Sequence, residues 1–148
     1  MVRFVGIDAA EARDRLAAIG TVLLDDPDQA SIDAAEAELP PEIRDVRAAV
    51  VIPPPPAGEE HSGMGAWHVN AETEAHLVVS GEGLVEFMTP DGPVAAVITG
   101  GDVMIVRGGE HRYRPLTEQE WIIRHSGAPD AELGGRETGR ASTPWPAV

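Results

Sequence analysis

The 148-residue sequence contains no cysteine and no lysine. The first absence removes thiolate nucleophiles, thiolate metal sites and disulfides, and the second removes the amine from which a Schiff base forms. All 11 basic residues are therefore arginine, set against 25 acidic ones for a formal net charge of −14. A chain of that sign repels a phosphate backbone, whose protein partners rely on basic residues to displace counterions, so nucleic acid is not an expected partner. No apolar run approaches the roughly 20 residues that span a bilayer. The acidic, interrupted start MVRFVGIDAAEARDRL is unlike a secretory signal. The expectation is a cytoplasmic protein with no membrane partner, whose chemistry falls to histidine, carboxylates, hydroxyls or a bound ion.

Turn formers, by contrast, are plentiful: 16 Gly and 13 Pro are too many for a helix bundle and suit a chain of short strands. The length is that of one domain. Ala12, Leu16 and Ile19 at helical spacing behind Asp8 predict a short amphipathic helix over Asp8–Ile19, and Ser31–Leu39 predicts a second, stopped by Pro40-Pro41. From Val46 the pattern turns β-branched. After Val46–Ile52 and the rigid connector Pro53–Pro56, strands are predicted at Ala66–Val69, Ala75–Val79, Leu84–Met88, Val94–Ile98, Val103–Val106, Arg112–Pro115 and Trp121–His125. Turns at Gly81, Thr89-Pro90-Asp91-Gly92, Gly100-Gly101 and Gly108-Gly109 separate them, and regular strands with regular turns predict a sandwich or barrel. The expected organisation is a helical extension over 1–45 packed on a barrel over 46–127, then a Gly-, Pro- and Thr-rich tail over 128–148 that wraps the surface or frays.

Two stretches carry chemistry. In Trp67-His68-Val69-Asn70 and Glu74-Ala75-His76, residues two apart share a strand face, so His68 and Asn70 point together, as do Glu74 and His76. About 30 residues on, the apolar strand Val103–Val106 leads through Gly108-Gly109 to His111, an imidazole that needs a partner if buried. Two imidazoles and a carboxylate on a rigid scaffold suit a non-haem iron site, although nickel, manganese or zinc accept the same donors. His61 and His125 are read as structural.

These stretches resemble the two cupin motifs. The first, His-x-His, three or four residues, Glu, six residues, Gly, is matched by His68-x-Asn70, Glu74 and Gly81, with Asn70 in the second-His slot. The second is matched by Gly101-Asp102 through Gly108-Gly109-Glu110-His111, one residue short and with Arg107 in place of the usual Pro. Within the cupins the chain is similar to the acireductone dioxygenase group, through Gly81-Glu82-Gly83, a displaced Phe87 and the helical residues before the barrel. The resemblance covers roughly 46–125. It implies a mainly β cupin fold, a double-stranded β-helix or jelly-roll barrel with short N-terminal helices. It also implies a divalent metal, iron(II) first, on His68, Glu74 and His111, with Asn70 as an altered fourth ligand, and a homodimer.

His76 stands where that group carries an arginine, and is expected as a general acid or base. Tyr113, two residues beyond His111, is expected to share the cavity face as a catalytic candidate or a packed aromatic. Arg124 is expected to bind a substrate carboxylate. The expected function is a dioxygenase acting on a small enediol or enolate. The alternatives are a non-redox isomerase, lyase or cyclase acting on a small carbonyl compound, and a binding module for a small ligand.

Overall fold

The structure, a computed structural model, describes residues 1–37, 46–125 and 135–148. Helix α1 (Ala9–Ala17) begins where Asp8 accepts hydrogen bonds from the backbone N–H of Ala10 and Glu11, and it buries Ala12 and Leu16. Helix α2 (Gln29–Glu36) starts two residues earlier than expected. Its cap is Asp28, which accepts from the Ser31 N–H at 2.7 Å; hydrogen bonding from the Ser31 hydroxyl, with that N–H second, holds the Asp28 carboxyl below the usual carboxylate range. The predicted stop at Pro40-Pro41 lies outside the described residues.

The first third also supplies strands that the apolar pattern was too short to reveal. These are β1 (Arg3–Phe4) and β2 (Val22–Leu24), one at the edge of each sheet. The remaining strands are β3 (Val46–Ile52), β4 (His68–Val69), β5 (Glu74–Ser80), β6 (Glu82–Thr89), β7 (Gly92–Thr99), β8 (Val103–Val106), β9 (His111–Pro115), β10 (Gln119–His125) and β11 (Arg136–Glu137). They form two antiparallel sheets, ordered β1-β7-β6-β9-β4-β11 and β2-β8-β5-β10-β3. The fold is therefore mainly β, of the jelly-roll type that the motifs imply.

Alternation builds the core. On β10 the residues Trp121, Ile123 and His125 are buried while Ile122 and Arg124 between them are half-exposed. Leu16, Leu23, Val78, Phe87, Met104 and Ile123 join the central apolar cluster between the sheets. The turn between β7 and β8 is tied by Asp102, which is fully buried. Its Oδ2 accepts from the Thr99 N–H at 2.9 Å, and its Oδ1 accepts from the Asp26 N–H at 3.0 Å and pairs with the N-terminal ammonium at 3.2 Å. The aspartate of the second motif thus has a structural task, joining the start of the chain to the barrel.

Candidate functional site

A cavity of about 400 Å³ opens between the sheets. Its walls are largely apolar, with Val50, Ile52, Met104, Trp121 and Ile123 on the five-stranded side, and its polar end gathers His68, Asn70, Glu74, His76 and His111. All five are buried. β4 and β9 of one sheet present the two histidines His68 and His111, β5 of the other presents Glu74 and His76, and Asn70 follows directly after β4.

His68 and His111 are direct cross-strand partners, their ring centroids 4.4 Å apart. Each fixes its ring in the same way. His68 Nδ1 lies 2.8 Å from the Ala66 carbonyl oxygen, and His111 Nδ1 lies 2.7 Å from that of Gly109. A carbonyl oxygen only accepts, so each Nδ1 carries the hydrogen, and the neutral form of each ring has its lone pair on Nε2. His111 is held neutral: burial, reinforced by the neighbouring His68 and His76, pushes its pKa down to about 3, against the opposing pull of the Gly109 carbonyl.

Across the cavity, Glu74 Oε2 accepts two hydrogen bonds, from Asn70 Nδ2 at 3.0 Å and from His76 Nε2 at 2.8 Å. The carboxylate settles both assignments. Asn70 must turn its NH₂ to Glu74, leaving Oδ1 as its free donor atom, and His76 must carry hydrogen on Nε2. The other nitrogen of His76, Nδ1, is buried with no hydrogen-bond partner among the described residues, and the ring stacks on Trp121 at 5.2 Å. A buried ring nitrogen left without a partner is costly, which marks His76 as a side chain whose environment is incomplete.

The donor set of two imidazole Nε2 atoms and a carboxylate fits a divalent ion of intermediate softness. As folded, Glu74 is given to Asn70 and His76, and among the described residues no three His, Asp or Glu side chains already form a closed ligand group.

Two expected residues fare differently. The ring of Tyr113 lines the cavity, but its hydroxyl donates to Gln119 Oε1 at 2.5 Å, and burial pushes its pKa up, so that end of the side chain is committed to packing. Arg124 is a correction. It alternates with Trp121 and Ile123, whose side chains line the cavity, and so sits on the opposite face of β10. No arginine is among the cavity-lining residues described.

Sequence reasoning also missed two contributors from the tail. Gly135 and Glu137 line the cavity because β11 pairs with β4, placing Glu137 opposite His68. The only sequence signal for this was the expectation that the tail wraps the surface.

Fold and site together describe a cupin-like two-sheet barrel whose interior carries a histidine- and carboxylate-lined cavity. No known protein family matches the chain, and neither does any curated protein. Among solved structures it is similar to an acireductone dioxygenase from Bacillus anthracis with cadmium ion in its active centre. That similarity has a TM-score of 0.48 and 18% identity over 84% of this chain and 90% of that one. A likeness at that level carries no assignment of residues or reaction.

Proposed function

We propose that the chain is a metal-dependent cupin enzyme. Its divalent ion is iron(II) in the first reading and nickel, manganese or zinc otherwise, held by His68, His111 and Glu74 with Asn70 Oδ1 as the fourth donor. The observation that carries this reading is the matched pair of imidazoles. Both are buried, both give Nδ1 to a backbone carbonyl, and both keep an Nε2 lone pair beside the same cavity. Two lone pairs so placed repel each other, and a cation satisfies both. Glu74 has two oxygens and several acceptor positions, so it can serve an ion while keeping its bond from His76.

When bound, the ion supplies Lewis-acid and, for iron, redox chemistry. The chain supplies position and proton handling. The apolar walls bury the body of a small substrate and exclude water, and the His76 Nδ1 lone pair takes a proton from the substrate's hydroxyl or activated C–H. Glu74, accepting the Nε2 hydrogen, stabilises the imidazolium that results. This arrangement suits an enediol, which must lose a proton before it becomes electron-rich enough to react with dioxygen.

The same pair supports a second reading. A carboxylate–imidazole dyad with a free ring nitrogen performs proton transfer alone, as an isomerase, lyase or cyclase acting on a small carbonyl compound requires. Oxygen uptake by the iron-loaded protein against a panel of small enediols separates the two readings. Iron-dependent uptake supports the dioxygenase. Turnover indifferent to oxygen contradicts it in favour of proton transfer, and ligand binding with no turnover leaves a binding module.

A further inference from the structure

We infer that the C-terminal segment is a working wall of the site, in which Gly135 is a positioning residue that holds His68 and Asn70 in place. A Cβ at position 135 would lie 2.3 Å from His68 Cδ2, 2.9 Å from His68 Cγ and 2.8 Å from Asn70 Oδ1. Neither carbon of a ring already pinned at Nδ1 can yield to that contact. Gly135 does not adopt a left-handed backbone, unlike Gly139, which has φ +80° and open space around its Cα. Gly139 is therefore glycine for the sake of its backbone. Gly135 is glycine for the sake of its neighbours, letting main chain lie directly on the polar end of the cavity.

The segment is latched on the outer face of the same strands, at residues adjoining the imidazoles. Trp67, just before His68, accepts from the Thr138 N–H through its carbonyl at 3.0 Å. Glu110, just before His111, pairs with Arg140 at 2.8 Å. Arg112, just after His111, is fully buried. It donates to the Thr143 carbonyl at 2.8 Å and to Glu86 at 3.0 Å, with its guanidinium 4.1 Å from the centre of the Trp145 ring and 5.0 Å from that of Trp67. Each latch thus acts on a neighbour of His68 or His111, and the segment they hold presses on His68 from the cavity side. The geometry stands without a metal; its consequence for metal affinity rests on the function proposed above.

The test uses the full chain, Gly135→Ala and the exposed-site control Ser142→Ala, with ¹⁵N NMR of the histidine rings in the metal-free protein and Co²⁺ titration by visible absorption. The parent and the control should show the Nδ1–H form of His68. Gly135→Ala, with unchanged circular dichroism, should lose that signature and bind Co²⁺ about tenfold more weakly or worse, as loss of a residue supporting a metal ligand typically does. Unchanged His68 signals and unchanged Co²⁺ affinity in Gly135→Ala would overturn the inference and leave the metal reading intact. A changed His68 ring with no Co²⁺ binding even in the parent would uphold the inference and overturn the metal reading. Should Gly135→Ala not fold, Trp145→Ala loosens the latch without adding atoms to the cavity, and an unchanged His68 ring there would equally overturn the inference.

Discussion

At the scale of single residues, the site is a set of hydrogen-bond assignments that carbonyl and carboxylate oxygens make unambiguous. His76 is the residue whose contacts they define most sharply, with Nε2–H on Glu74 and Nδ1 without a partner among the described residues. His76→Gln keeps much of the side chain's volume and polarity but cannot shuttle a proton. It should lower turnover by about 10²–10⁴-fold, the usual range for a general base, while leaving metal content unchanged. Tyr113→Phe should do the reverse. It keeps the ring in the cavity wall but strands the Gln119 carbonyl in a buried place, so urea denaturation should show a loss of about 1–2 kcal/mol with activity preserved. His111 gives a pH signature. In the metal-free protein the unfolded chain takes up a proton near the ordinary imidazole value of 6.5, whereas the folded one refuses it down to about 3. Stability should therefore rise with pH between those limits, and His111→Gln should flatten that part of the curve. Much of this was legible in the sequence, because strand alternation and two motif spacings put His68, Asn70, Glu74, His76 and His111 into one cavity. The hydrogen-bond roles were not, since which atom of Asn70 meets Glu74 depends on a contact between side chains four residues apart.

At the scale of elements, β3 and β8 begin and end as their β-branched runs predict, and the Asp8 cap sets the start of α1. Arg124 shows where the reading stopped short. The alternation of Trp121, Ile122, Ile123 and Arg124 already places the arginine away from the tryptophan face, and that signal outranks its proximity to the barrel. The edge strands β1 and β2, of two and three residues, carry too little pattern to stand out, and their pairing with β7 and β8 is a long-range matter. The tail is the same case. Its hold on the barrel depends on Arg112, whose guanidinium neutralises Glu86 in the interior. Arg112→Ala removes that partner and the anchor of Thr143 together. A cost of about 3–5 kcal/mol is expected from the unpaired buried carboxylate, along with faster proteolysis of the C-terminal segment.

At the scale of the whole molecule, two sheets that face each other divide the work, one presenting two imidazoles and the other a carboxylate–imidazole pair. The space between them is large enough for a small substrate and lined mostly by hydrocarbon. The charge of −14 belongs to the same account, since a strongly acidic molecule attracts divalent cations as it repels polyanions. On the function proposed above, a divalent ion joins the two sheets at the polar end. Elemental analysis of the protein purified without chelator, beside His111→Ala, tests it most directly. Near-stoichiometric metal in the parent and little in the variant is the predicted result, and equal, negligible metal in both would contradict it.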